Sequence, residues 1–281
     1  MADRKVCVIS GATSGIGKAS ALALAEHPTT LLLISRKKEK GEAVLIEIAS
    51  KTGNKNLELY LADLSSQADV RRLAQEIKTR HSSIDLLINN AGGIFGKRIM
   101  TADGIELTFA LNHLAYFLLT NLLIAELKAA PAARIINVSS NAHGYGTIAF
   151  DDLGLEKRYN AARAYAQSKL ANVFFTYELA RVLKDTRVTV NALHPGAVRT
   201  NFGRELSGIA GFVFRHFGYF MRSPEKGAET IVWLATAPEL EGQTGKYFLD
   251  KKEIRSSALS YDTTVARKLW QVSAQLTGVE T

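Results

Sequence analysis

Short apolar runs alternate with longer segments of helical period through most of this chain. The runs fall at residues 6–9, 30–34, 57–61, 86–88, 134–138, 188–193 and 246–249. Between them, apolar residues recur at three- and four-residue spacing over 15–26, 39–50, 67–80, 104–127 and 164–183, as helices with one buried face require. A last segment, 263–276, reads as a helix with Trp270 on its apolar side and Gly278 as its stop. Strands that are apolar almost throughout belong in a parallel sheet covered on both faces. The alternation therefore predicts an α/β fold, a doubly wound parallel sheet of about seven strands with helices on both faces. No linker-like stretch interrupts it, so residues 1–281 read as one domain.

Two regions fall outside the alternation. Residues 141–162 are polar and follow the fifth strand; residues 200–223 follow the sixth and carry Phe202, Phe212, Phe214, Phe217, Tyr219 and Phe220. Ligands of open α/β sheets bind outside the carboxyl ends of the strands, so both regions are expected to flank the site as substrate loops.

Composition narrows the partners. The net charge of +8 could serve nucleic acid, anionic lipid or an anionic cofactor. The basic residues are scattered, and their densest run is Arg36-Lys37-Lys38 with Lys40. That pattern suits a local phosphate site, and no nucleic-acid partner is expected. A single cysteine, Cys7, excludes an intrachain disulfide framework and a Cys-rich zinc site, and no metal site is expected. The N-terminal apolar run is too short for a secretory signal, and no stretch of about 18 apolar residues follows it. A soluble, cytoplasmic protein is the resulting expectation.

The first strand runs into Ser10-Gly11-Ala12-Thr13-Ser14-Gly15-Ile16-Gly17, after which a helix begins. Glycines at such a turn let the backbone approach a pyrophosphate, and the helix N-terminus offers unpaired N–H groups. This makes the sheet a Rossmann-type, dinucleotide-binding one. The second strand is followed by Ser35, Arg36, Lys37 and Lys38, with no acid until Glu39. A carboxylate there would hold the ribose hydroxyl of NAD, whereas arginine receives the extra phosphate of NADP. The cofactor predicted is NADP(H), with Arg36 on its 2′-phosphate. Asp63-Leu64 ends the third strand, where a carboxylate could meet adenine or cap its own turn. Asn90-Ala91-Gly92 ends the fourth, where small residues leave room for a ribose or form a plain turn.

Tyr165 and Lys169 lie four apart on a predicted helix, hence on one face. A nearby cation favours phenolate, which predicts a lowered tyrosine pKa suited to proton exchange with a carbonyl or alcohol oxygen. Such pairs also occur by chance on helix surfaces. The fifth strand ends in Ser139-Ser140, either of which could donate to a developing alkoxide. Asn112 sits in an otherwise apolar helix and needs a polar partner.

In this order, the glycine turn, Asn89-Asn90-Ala91-Gly92, Asn112, Ser140, Tyr165-x3-Lys169 and His194-Pro195-Gly196 resemble the short-chain dehydrogenase/reductase family. Ser35-Arg36 with Glu39-Lys40-Gly41, Asn112-His113-Leu114, Ser168 to Asn172 and the long gap between Ser140 and Tyr165 are similar to its retinol dehydrogenase-type branch. The resemblance implies that Gly11, Ser14, Gly15, Ile16 and Gly17 contact the pyrophosphate and its ribose. It places Arg36 on the 2′-phosphate, Asp63 and Leu64 at the adenine, and Asn90, Ala91 and Gly92 at the adenosine-side ribose. Tyr165 would be the proton donor or acceptor, Lys169 would bind the nicotinamide ribose, Ser140 would orient the substrate oxygen, and Asn112 would support a relay water. Pro195, Gly196, Val198 and Thr200 would line the nicotinamide.

The function implied is NADP(H)-dependent hydride transfer between the nicotinamide and a hydrophobic alcohol, aldehyde, ketone or retinoid-like substrate. The alternative is an NADP(H)-sensing regulatory protein on the same fold. Animal members of that branch commonly carry an N-terminal membrane anchor, and this sequence starts close to its first strand, which points away from retinol itself. The aromatic 200–223 segment is expected to be a lid, with peripheral membrane contact as the other reading. The helices around 104–127 and 165–183 would pair copies in many family members, so a homo-oligomer is a further expectation.

Overall fold

In a computed structural model, residues 4–198 and 221–280 are described. The strands are β1 (Lys5–Ser10), β2 (Thr29–Ser35), β3 (Leu57–Leu61), β4 (Leu86–Asn89), β5 (Arg134–Val138), β6 (Thr189–Leu193), β7 (Lys246–Leu249) and β8 (Lys252–Glu253). They form one sheet in the order β3-β2-β1-β4-β5-β6-β7-β8. The first seven are parallel, and β8 is an antiparallel addition at the edge. Asp250 and Lys251 link β7 to β8 with φ of 50° and 59°, the double left-handed turn that suits a tight hairpin. The order reverses between β1 and β4, which opens a crevice at the carboxyl ends of those strands.

Alternate residues of each strand feed opposite layers, as the two-residue period of a strand dictates. From β1, Cys7 and Ile9 pack with Ala21 and Leu24 of α1 (Gly15–Ala25), Val44 and Ile48 of α2 (Lys38–Thr52) and Ile231 of α8 (Pro224–Thr236). Val8 faces the other way, toward Leu73 and Ile77 of α3 (Gln67–Arg80), Phe117 of α5 (Ala115–Leu122) and Phe175 of α7 (Ala161–Val182). The last helix, α9 (Thr263–Thr277), adds a further layer on that side. Its Trp270 ring meets Phe117 edge-on at 5.0 Å and stacks on Phe175 at 5.9 Å.

The expected single helix over 104–127 is not one helix. A short α turn, α4 (Leu107–Phe109), leads into a π-helical turn (Ala110–Leu114) and then α5, and α6 (Ile124–Ala129) follows a break at Leu123. The start is set by Glu106, whose carboxylate accepts from the Thr108 and Phe109 N–H groups at 2.9 Å each. Such wide turns recur at functional sites, and this one carries Asn112. A second difference is α8, for which the apolar pattern gave no element. Ser223 caps it by accepting from Lys226 N, and Pro224 occupies its first turn, a start signal present in the sequence. Of the 200–223 segment, only 221–223 lie within the described residues.

Candidate active site

At the end of β1 the backbone turns sharply, with Gly11 at φ +67°. A side chain on Gly17 would place its Cβ 2.3 Å from the Gly11 oxygen, so the α1 N-terminus can close on the turn only with glycine there. The turn is tied to the end of β4. Ser10 Oγ accepts from the N–H groups of Asn90 (2.8 Å) and Ala91 (3.0 Å), while the Asn90 side chain donates to the Ser10 oxygen at 2.9 Å. Asn90 is therefore the brace of the glycine turn. Ser14 and Gly15 open α1; Ser14 is exposed, makes no side-chain cap, and no acid lies in the first turn. The first-turn N–H groups and the positive end of the helix dipole are thus left for an anion. Ile16 is half-buried beneath α8, close to where a Gly227 side chain would sit.

Arg36 lies exposed just past β2 and forms no ion pair or hydrogen bond with other described residues. Asp63 engages its own turn: Oδ1 accepts from Ser65 N at 2.9 Å and from Ser65 Oγ at 2.6 Å. Leu64 and Ala91 are buried beside it in the same apolar cluster. Gly92 faces the catalytic side, where an added Cβ would lie 3.0 Å from Asn112 Oδ1 and 3.6 Å from Lys169 Nζ. Past β6, Pro195 and Gly196 are half-buried, Gly196 has φ +85°, and Val198 pairs as a β-bridge with Arg222. Thr200 lies outside the described residues.

The two serines at the end of β5 have different surroundings. Ser139 is buried and donates from Oγ to the Lys169 carbonyl at 2.8 Å, pinning β5 to α7. Ser140 is half-buried, caps the 3-10 turn Asn141–Tyr145, and lies close enough to Tyr165 for its hydroxyl to favour the phenolate. Lys169 is buried at 3% exposure, donates from Nζ to the Val138 carbonyl at 2.9 Å, and stands 5.7 Å from the ring centres of Tyr165 and Tyr116. Ser140 and Lys169 thus lie by the carboxyl end of β5, with Lys169 also facing Gly92 past β4 and Tyr165 beside it on α7.

The expected lowering of the Tyr165 pKa is not found. Burial pushes the phenol up to about 12, against the opposing influence of the nearby Ser140 hydroxyl. Burial also draws the Lys169 ammonium down to about 7. Desolvation disfavours the charged form of both groups, and at Tyr165 it outweighs any help a nearby lysine gives the phenolate. The resting tyrosine is therefore neutral.

Asn112 holds the turn after β4. Its Oδ1 accepts from Gly93 N at 2.8 Å, and its Nδ2 donates to Gly93 O at 2.9 Å and to Ser168 Oγ at 3.0 Å. Its own carbonyl accepts from Asn172 Nδ2 at 2.9 Å. Asn172 faces His113 at 3.4 Å, and the other ring nitrogen of His113 meets Ser273 Oγ of α9 at 2.9 Å. Burial holds the His113 pKa down at about 4, so this internal chain is neutral. Asn172 and His113 had no assigned role in the sequence reading. Their signal was the one that picked out Asn112, a polar residue on an apolar helix face.

The sequence profile described as short chain dehydrogenase matches residues 5–208. The chain belongs to the short-chain dehydrogenase family. It is an oxidoreductase of that family, and its resemblance to the retinol dehydrogenase-type branch extends over nearly its whole length. It is 44% identical to human retinol dehydrogenase 13 over 98% of this chain and 85% of that protein. It is 42% identical to human retinol dehydrogenase 11 over 98% and 86% of the two chains. Among solved structures, an uncharacterized protein from Mycobacterium paratuberculosis superposes with a TM-score of 0.80 at 31% identity, covering 98% of this chain and 94% of that one. In this family the sheet is the frame of a nicotinamide dinucleotide site and the substrate is a small molecule. Among the described residues, no helix is long and apolar enough to cross a membrane.

Proposed function

We propose that this short-chain dehydrogenase is NADP(H)-dependent and moves a hydride between the nicotinamide and a hydrophobic alcohol/carbonyl pair, with reduction of an aldehyde, ketone or retinoid-like carbonyl as its working direction. The observation that carries the reading is the grouping of Ser140 with a neutral Tyr165 whose ring centre lies 5.7 Å from the buried Lys169 ammonium. The names of the relatives support an apolar, retinoid-like substrate class.

The residues present fit the cofactor. The uncapped α1 N-terminus with Gly11, Ser14, Gly15, Ile16 and Gly17 would hold the pyrophosphate. The unpartnered Arg36 guanidinium would take the 2′-phosphate, since a phosphate oxygen pair matches its planar fork. Asp63, Leu64 and Asn90 to Gly92 would flank the adenosine half, and Pro195, Gly196, Val198 and Thr200 the nicotinamide half. When bound, NADP(H) supplies or accepts the hydride.

The protein's own part is the proton. Tyr165 gives its hydroxyl proton to the substrate oxygen as negative charge develops there, and Ser140 Oγ donates a second hydrogen bond to the same oxygen. Lys169 stands below with a cation that becomes available near neutrality. Asn112 keeps Gly92 and Gly93 against α7, so that the floor of the pocket stays in register with Lys169.

The test is NADPH oxidation against a panel of apolar aldehydes and ketones that includes a retinal. Turnover is expected for wild type, with Tyr165→Phe lowering kcat by about 10³-fold at unchanged NADPH affinity. Confirmed NADPH binding without turnover of any member would sink the catalytic reading in favour of a cofactor-sensing protein.

A further inference from the structure

We infer that His143 is a positioning residue, which fixes the Ser140 peptide so that the Ser140 hydroxyl meets Tyr165 and the substrate oxygen. The inference rests on the proposed role of Ser140.

His143 lies on the 3-10 turn Asn141–Tyr145 and is 5% exposed. Its Nε2 accepts from the backbone N–H of Ser257 at 3.0 Å. A backbone N–H can only donate, so Nε2 must carry the lone pair and the ring proton must sit on Nδ1. That proton points at the Ser140 carbonyl, 2.7 Å away. Burial lowers the His143 pKa, so the neutral ring persists at neutral pH. The same carbonyl accepts from His143 N at 3.0 Å and lies 3.4 Å from the hydroxyl of buried Tyr247 on β7. Because Nδ1 bears hydrogen, the Tyr247 hydroxyl donates to the carbonyl and not to the ring, although it is 3.2 Å from that nitrogen.

Three donors from three directions therefore hold one carbonyl. A carbonyl fixed in this way fixes its peptide plane and the extended Ser140 backbone (φ −159°, ψ 156°), hence the direction of the Cα–Cβ bond. Residue 257 belongs to the C-terminal part of the chain, where Ser256 also hydrogen-bonds Tyr177 of α7 at 2.6 Å. The tautomer at His143 is thus dictated from the C-terminal segment and read at Ser140.

Two substitutions separate the two ring nitrogens. In His143→Asn the side-chain amide can still donate to the Ser140 carbonyl. In His143→Gln the longer side chain can still accept from Ser257 but places no donor at Ser140. The expected result is a 10- to 100-fold lower kcat for His143→Gln, on the scale of a misplaced catalytic group, with NADPH Kd and thermal midpoint close to wild type. His143→Asn should stay within about threefold of wild type in kcat. The inference is overturned by wild-type kcat in His143→Gln, or by equal losses in His143→Asn and His143→Gln. Ser140→Ala is run alongside. If that variant turns over like wild type, the proposed role of Ser140 fails, an outcome distinct from failure at His143.

Discussion

Ser139 Oγ donates to the backbone oxygen of Lys169 at 2.8 Å, so the first of two adjacent serines is committed to holding α7. Its neighbour Ser140 caps only a short turn and lies beside Tyr165. The two hydroxyls should therefore separate by experiment. Ser140→Ala is expected to lower kcat by about 10²-fold or more while leaving the unfolding midpoint near wild type. Ser139→Ala should cost about 1 kcal/mol of stability by urea titration and change kcat by much less. A reversed pattern would move the oxyanion role to Ser139.

Lys169 gives a stability prediction with a definite sign. Its pKa is near 7 in the fold and about 10.4 in the unfolded chain. Between those values the unfolded state binds the extra proton, so stability rises with pH across the window. Below about pH 7 both states are charged and the burial cost is carried in full. Lys169→Met should therefore be more stable than wild type at pH 6, by up to a few kcal/mol, with the difference shrinking toward pH 10. The same variant should lose turnover. A pH-independent difference in unfolding midpoint would show that the ammonium is not desolvated as its surroundings imply.

The parallel sheet was readable because strands buried on both faces are apolar almost residue by residue, as in β2 and β4. The glycine turn was equally plain, since the spacing of Gly11, Gly15 and Gly17 has a steric cause. The sign of the Tyr165 shift was not readable. A four-residue spacing reports that Lys169 is near, but it does not report that both groups are desolvated. The break of the 104–127 helix was hidden for a related reason. Leucine spacing continues through it, while its cause lies in partners distant in sequence, with Asn112 bonded to Gly93 and Asn172. The pattern missed α8 because no strand directly precedes it, although the Ser223-Pro224 start was there to be used. Choosing between Ser139 and Ser140 likewise needed the Lys169 carbonyl, a group without a sequence signature.

Arg36 tests the cofactor assignment separately from the chemistry. It is exposed at the end of β2, and the only acid nearby in sequence, Glu39, lies within α2. Arg36→Asp would remove the phosphate fork and place a carboxylate where a ribose hydroxyl could bind. NADPH kcat/KM is expected to fall by about 10²-fold, consistent with loss of a charge-assisted bidentate contact. NADH should improve or hold steady, because it has no 2′-phosphate to repel. An unchanged NADPH-to-NADH ratio would remove Arg36 from the site.

The last prediction concerns α9, which packs across the outer faces of α5 and α7. Trp270 sits between Phe117 and Phe175, and Leu269 and Ala266 are buried with Leu170 and Phe174. His113 and Ser273 add a buried hydrogen bond, and Gln67 of α3 donates to the Leu276 carbonyl at 2.8 Å. Replacing the indole by a methyl group would remove one ring of a three-ring cluster, in which Phe117 and Phe175 also touch at 5.5 Å, and open space over the helix that carries Tyr165. Trp270→Ala is expected to cost about 3 kcal/mol or more. Trp270→Phe should recover much of that loss, since a smaller ring keeps part of the contact. Urea unfolding monitored by far-UV circular dichroism gives both numbers. If packing against α7 is what α9 contributes, the destabilised variant will retain its kcat below its transition, because Tyr165, Lys169 and Ser140 keep their partners. A loss of kcat in a fully folded Trp270→Ala protein would instead show that α9 shapes the catalytic turn of α7 directly.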